Sequence, residues 1–309
     1  MHFDLSARVT LRGGFRYTHD DGAQTGLEAN LLGSDNVSIA TLIPPTSLSF
    51  SKDNVSGKIG LDYKPSHDLL FYANYAHGYR ASSFNAQAFF DPSEVTIAKP
   101  ESINAFEADA KTQFLDRRVT LNLAAFYYIY TNQRFINVEP ATGAQLFVNV
   151  DRSRPYGGEG ELTVRVSDRF SLRGGFGLLA SKITRGTLDG VDLAGNRLAN
   201  APSVTLNAGI DATLFDDGAT KVSFSPDVSY VSSQDFDVFN KLILKEGGYA
   251  LLGAHLDVEH APLSLSLWAK NAGNNYYHTW RIDLLSGFGL IYNHIGAPRT
   301  YGATVGFKF

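Results

Sequence analysis

Apolar and polar residues alternate one by one through most of this chain. Val9, Leu11, Gly13, Phe15 and Tyr17 oppose Thr10, Arg12, Gly14 and Arg16. Val55 to Tyr63 repeats the pattern, with Ser56, Lys58, Gly60 and Asp62 on the other face. It returns in the stretches 69–76, 106–114, 120–129, 161–167, 171–178, 204–214, 221–230, 251–259 and 263–270. The last stretch, Tyr301 to Phe309, sets Tyr301, Ala303, Val305, Phe307 and Phe309 against Gly302, Thr304, Gly306 and Lys308. Successive side chains of a strand point to opposite faces, so each stretch predicts a strand with one apolar and one polar face. The count is about twelve full strands, with Met1–Leu5 as a stub of another. Charges sit on the polar face alone, as either a soluble sandwich or a lipid-facing sheet requires.

The connections separate those two readings. Six are tight: Ser6-Ala7, Pro65-Ser66-His67, Leu115-Asp116-Arg117, Ser167-Asp168, Asp216-Asp217-Gly218 and His260-Ala261-Pro262. Six are long, over 20–50, 81–98, 132–154, 184–200, 233–247 and 273–297. Tight and long alternate strictly, whereas a Greek-key sandwich mixes connection lengths at both ends. Short turns at one end and long loops at the other fit a transmembrane barrel. The predicted fold is therefore all-β, an antiparallel up-and-down transmembrane β-barrel wall of about 12–13 strands. The pattern predicts one unit over residues 1–309. Tyr17, Tyr63, Tyr75, Phe114, Tyr127, Phe215 and Tyr230 fall near strand ends, where barrels carry interfacial aromatic girdles.

Composition adds limits. The 309 residues hold 29 Gly, 15 Tyr and 21 Phe but no Cys, which removes disulfides and thiolate metal sites. A net charge of −4 gives no footprint for nucleic acid. Mean hydropathy is −0.12, and no run approaches the ~20 apolar residues of a membrane helix. A spanning strand needs only about 9–11 residues, half of them polar. Met1 to Arg8 lacks the basic start and apolar centre of a signal peptide.

Motifs for catalysis are lacking: no G-x-S-x-G, H-E-x-x-H or Walker loop occurs, so the chain is read as a non-enzyme with no cofactor. Glu159 with Glu161, and His255 with Asp257 and Glu259, share strand faces and are read as polar lining. Asp216-Asp217-Gly218 is read as a hairpin turn rather than a cation site. His278 and His294 share one long connection, and no convincing set of metal ligands stands out.

Several phrases, in order, resemble the TonB-dependent receptors of the Gram-negative outer membrane. They are Val55-Ser56-Gly57-Lys58-Ile59-Gly60-Leu61-Asp62-Tyr63, then Leu70 to Arg80 (LFYANYAHGYR) before Phe84-Asn85, then Lys99-Pro100-Glu101-Ser102. Ala124-Ala125-Phe126-Tyr127-Tyr128 precedes Gln133, and Asn149-Val150-Asp151 precedes Tyr156-Gly157 and Glu161. Asn200-Ala201-Pro202, Trp268-Ala269-Lys270-Asn271 before Asn275-Tyr276-Tyr277, and Gly296 to Gly302 (GAPRTYG) complete the series. The resemblance covers nearly the whole chain. It departs from the family in strand number and in lacking a plug domain and an energy-coupling box, so the chain resembles the C-terminal part of a 22-stranded receptor barrel.

The resemblance implies a location in the outer membrane and energy-coupled uptake of a large scarce nutrient, a ferric siderophore first, with vitamin B12-like cofactors and glycans sharing the barrel. It implies as partners the lipid bilayer, a plug domain, an inner-membrane energy-coupling protein and the barrel-assembly machinery. Without a plug, such a wall is expected not to transport by itself. At the loop end, aromatic and Arg side chains suit an anionic iron chelate: Tyr79, Arg80, Phe84, Arg134, Phe135, Phe236, Trp280, Arg281 and Tyr292. Tyr301, Phe307 and above all the terminal Phe309 match the family's assembly signal. Two alternatives stand beside this reading: a passive porin-like pore, and a soluble carbohydrate-binding β-protein.

Overall fold

A computed structural model describes residues 1–85 and 87–308. Phe309, and with it the terminal part of the expected assembly signal, lies outside the described residues. Thirteen strands follow one another in an unbroken ladder. They are β1 (His2–Ser6), β2 (Val9–Leu32), β3 (Ser38–Ser66), β4 (Leu69–Arg80), β5 (Glu101–Phe114), β6 (Val119–Val138), β7 (Tyr156–Ser167), β8 (Phe170–Ala180), β9 (Val204–Asp216), β10 (Thr220–Val231), β11 (Tyr249–His260), β12 (Leu263–Lys270) and β13 (Thr300–Phe307). Each pairs antiparallel with its neighbour in the chain, the up-and-down meander that the alternating connections predict. The six tight connections all lie at one end. Asp217 shows why one of them forms: its carboxylate accepts from the Ala219 and Thr220 N–H groups, and Gly218 takes φ 83°, a left-handed conformation that costs glycine little.

The two faces of this sheet meet different surroundings. The apolar rows point outward and are open: Phe15 is 80% exposed and Val305 72%. Between them the ladder sets Leu61 beside Leu11, Leu162 beside Leu121, and Val305 beside Leu265. Only a hydrocarbon solvent makes such a surface favourable, at roughly 25 cal/mol per Å² of apolar area removed from water. Near the loop end Tyr75, Phe106, Tyr127 and Tyr156 stand in direct cross-strand register on β4, β5, β6 and β7. Their rings lie 5.1 Å (Tyr75–Phe106) and 6.1 Å (Tyr127–Tyr156) apart, an aromatic belt. From Tyr156 to Val166 the strand climbs about 33 Å, or about 25 Å along the membrane normal at the usual tilt, which matches the apolar band of outer-membrane barrels.

The polar rows point inward. Tyr72 on β4 and Asn207 on β9 line one hollow together with Asp109, Lys111, Asn122 and Glu161, so the sheet is concave on this face across six strands. Arg173 and Asp211 pair there at 2.6 Å, and Arg12 reaches Asp62. Glu159 and Glu161 belong to this lining, as the sequence predicts.

Three of the long connections are more ordered than expected. Residues 20–50 are not a structureless loop: β2 and β3 continue as a hairpin, with Asp20 opposite Lys52 and Leu32 opposite Ser38. Likewise 132–154 zips through Val138 and Gln145–Ser153, and 273–297 holds the hairpin His278–Leu284 with Leu290–Ile295. Beyond the membrane neither face is in lipid, so pairing persists while the two-faced pattern fades. The stub expected at Met1–Leu5 is the short strand β1, which pairs with the start of β2 from His2 to Ser6 and brings the wall count to thirteen, within the predicted 12–13. Among the described residues the ladder ends at β1 and β13 without joining them.

Candidate functional site

The main apolar core of the molecule lies above the wall, in the connections at the loop end. Val150, Ile183, Leu193, Leu198, Ala201 and Val238 form one buried cluster, with Phe135, Leu179 and Phe239 packed against it. These residues come from three separate connections, so the loops build a shared crown. Polar anchors fix it. The Asn240 side chain accepts from the Arg197 N–H at 2.7 Å and donates to the Arg197 carbonyl at 3.0 Å, in a left-handed conformation (φ 55°) that asparagine tolerates. The Arg197 guanidinium donates to the Ala201 carbonyl and the Ser203 hydroxyl at 3.0 Å each. Buried backbone groups of an irregular segment need such partners.

Against this crown opens a cavity of about 690 Å³, within the ~300–1,000 Å³ usual for small-molecule sites. Four segments line it: the extension of β6 from Arg134 to Glu139, part of the 181–203 connection, Phe236 to Lys241, and Trp280 to Asp283. The hairpin that carries Trp280 is tied down at three points. Lys241 Nζ donates to Asp283 at 2.8 Å, the Arg281 guanidinium donates to the Lys245 carbonyl at 3.2 Å, and His278 Nδ1 meets Glu246 at 2.8 Å. The hydrogen bond from Lys241 holds the Asp283 carboxyl below the usual carboxylate range. Burial pushes the Asp237 carboxyl, in the same lining, up.

These two shifts act with opposite sign on crown stability. Asp283 is lowered, so its contribution is present above the ordinary carboxylate pKa and is lost as pH falls through its folded value. Asp237 is raised, so the folded crown takes up a proton first and gains stability as pH falls through the folded value of Asp237 toward the ordinary carboxylate pKa. Crown stability is expected to rise modestly on acidification from neutrality and to fall once pH drops below about 4. Trp280 fluorescence in a Trp268→Phe background reads this. Asp237→Asn is expected to abolish the rise and Asp283→Asn the later fall; a profile untouched by both substitutions refutes the assignment.

Of the nine residues singled out from the sequence, Arg134, Phe135, Phe236, Trp280 and Arg281 line this one cavity. Phe236 is only 6% exposed. Arg134 is already engaged: its guanidinium donates to the Ala81 carbonyl at 2.5 Å, and its backbone N–H donates to the Glu101 carboxylate at 3.0 Å. Tyr292 sits across the hairpin from Ile282, outside the lining. The other three lie outside the lining: Arg80 lies 3.5 Å from Glu101, the carboxylate that also accepts from the Arg134 N–H, Phe84 packs on Phe50 at 5.3 Å, and the Tyr79 hydroxyl is shielded from solvent. Alternation gave no signal for Lys241, Asp237 or Asp283, because their placement depends on contacts between distant loops. His278 and His294 turn to different partners, Glu246 and the Thr279 hydroxyl.

A family model described as TonB dependent receptor-like, beta-barrel, matches residues 1–272. A probable TonB-dependent siderophore receptor, PiuA, of Acinetobacter baumannii is 29% identical over 140 residues, 44% of this chain and 18% of the relative. A probable TonB-dependent receptor, BfrD, of Bordetella pertussis is 33% identical over 130 residues, 41% of this chain and 17% of the relative. Among solved structures, the ferric yersiniabactin uptake receptor FyuA of Yersinia pestis superposes with a TM-score of 0.79 at 21% identity, over 100% of this chain and 44% of that one. The solved PiuA structure gives 0.75 at 19%, over 100% and 42%. The chain thus spans less than half the length of these receptors.

Proposed function

Because the chain belongs to the TonB-dependent receptor-like β-barrel family, we propose that it forms wall and crown of a larger outer-membrane receptor that takes up a large scarce nutrient, a ferric siderophore first. The observation that carries this reading is the cavity at the loop end, lined by Trp280, Phe135, Arg281 and Lys241 on the outer side of the aromatic belt. Cations and π-faces there suit a bulky anionic chelate. The named relatives that are siderophore receptors support the ligand class. Uptake through the wall requires a plug facing the charged inner rows and an inner-membrane partner to move it. Assembly into the membrane would use Tyr301, Phe307 and Phe309.

Binding of a panel of ferric siderophores, read by quenching of Trp280, tests the proposal. Arg281→Gln is expected to weaken the bound member about 10- to 100-fold, since a hydrogen bond to a charged group contributes about 1.5–3 kcal/mol. Arg134→Gln is expected to loosen the crown as well, because its guanidinium holds the Ala81 carbonyl. No binding across the panel, together with steady single-channel conductance in a planar bilayer, would replace this reading with a passive pore.

A further inference from the structure

Two arginines and one buried carboxylate meet where the crown joins the inner face of the wall. We propose that Arg80 and Glu101 form an exchangeable pair there: an anionic group of the cargo, on leaving the crown cavity, displaces Glu101 and takes the Arg80 guanidinium. The inference rests on the reading of the cargo as an anionic chelate, and adds the station that follows capture.

The ladder fixes the place. Tyr72 on β4 lines the inner hollow, and Arg80 stands on the same face of that strand, about 26 Å further up an unbroken ladder. Its partner across the ladder is Glu101, the first residue of β5, as Asp109 is the partner of Tyr72. Glu101 Oε2 lies 3.5 Å from Arg80 Nη1 and accepts from the Arg134 backbone N–H at 3.0 Å. Arg134 in turn lines the crown cavity. One carboxylate oxygen therefore separates the cavity lining from the top of the inner polar row.

The two cations are held differently. The Arg134 guanidinium donates to the Ala81 and Lys99 carbonyls, at 2.5 and 3.3 Å, and is committed to the fold. The Arg80 side chain is 62% exposed, and among the described residues Glu101 is its one ion-pair partner. Lower on the inner wall Arg173 is clasped more tightly, donating to both Asp211 oxygens at 2.6 and 2.7 Å. Arg80 instead faces, at 3.5 Å, an oxygen already taken by a backbone N–H. A pair with so open a cation is worth no more than about five-fold in an equilibrium constant. When Arg80 turns away, the Glu101 carboxylate keeps the Arg134 N–H, so the exchange leaves no orphaned buried charge. The planar guanidinium released in this way suits carboxylate or catecholate oxygens.

Two chelates of similar size and different charge test this. The chain, folded in neutral detergent in a Trp268→Phe background, is titrated with an anionic ferric tris-catecholate and a neutral ferric tris-hydroxamate, both read by Trp280 quenching. Arg80→Gln is expected to weaken the tris-catecholate about ten-fold and to leave the tris-hydroxamate unchanged. Glu101→Gln, whose amide oxygen still accepts from the Arg134 N–H, is expected to tighten the tris-catecholate by up to about five-fold, a gain that Arg80→Gln removes. A Glu101 that merely supports the fold would weaken both chelates instead. Citrate without iron gives a readout independent of capture: it should shift the Arg80 Nε signal in NMR, at about five-fold lower concentration in Glu101→Gln. Unchanged gel mobility of the unheated protein checks folding. Should Glu101→Gln misfold, Arg80→Gln together with the citrate shift of the parent decides. Weakening of both chelates by folded Glu101→Gln, equal effects of Arg80→Gln on the two chelates, or an Arg80 signal blind to citrate would each overturn the pair, even where the chelates bind. A citrate shift with neither chelate bound would support the pair and count against the capture reading alone.

Discussion

Replacing Leu162 with Arg should destabilise the folded wall by about 2–4 kcal/mol, the range for a charge on the lipid face near mid-membrane. Leu162 lies six residues from the belt residue Tyr156 and four from Val166 at the opposite end of the outward row. Its ladder neighbours are Leu121 and Gly174, so no polar group is at hand to receive a guanidinium. The residue beside it gives the contrast. Glu161 points into the concave polar hollow, and Glu161→Gln is expected to stay within about 0.5 kcal/mol of the parent. Urea unfolding in vesicles, followed by the gel mobility of unheated samples, compares the two. Equal and small effects would mean that the outward row does not meet lipid.

Leu193→Ala should have a comparable size but a different reach. Leu193 is fully buried in the crown cluster beside Val150 and Ile183. Removing its side chain leaves a cavity, and such truncations cost about 2–5 kcal/mol. The loss is expected to fall on the crown alone. Amide exchange and protease nicking should rise in the 181–203 and 232–248 connections, while the gel mobility that reports the wall stays unchanged. Concerted loss of both would contradict the separation of crown core and wall.

The wall was legible because lipid on one side and polar contents on the other impose a strict period of two. Val204 to Leu214 alternates in the sequence, and β9 is built as written. Asp216-Asp217-Gly218 announced its turn through side-chain chemistry, and the Asp217 carboxylate makes the bonds that such a turn needs. The crown resisted the same reading. Asp20 to Leu32 keeps its ladder with β3 after leaving the membrane, yet both faces there meet water or other loops, and the pattern dissolves. The cavity was legible in part. Choosing aromatic and Arg residues at the loop end found Trp280 and Arg281, but Lys241 and Asp283 meet across 42 positions of chain, and nothing local announces them. Phe236 illustrates the remaining ambiguity of composition: an aromatic in a long connection serves burial as readily as contact with a ligand.

The crown core has a thermodynamic consequence. Its apolar cluster is removed from water by folding, so its opening carries a positive heat-capacity change and responds to urea in the ordinary way. The outward face of the wall is removed from water by lipid rather than by protein, so its transition depends on the bilayer or detergent that surrounds it. A single cooperative transition is therefore the wrong description of this chain. Calorimetry should resolve a lower, curved transition for the crown from a higher one for the wall, and a melting temperature quoted without naming which of the two solvents it refers to would describe neither.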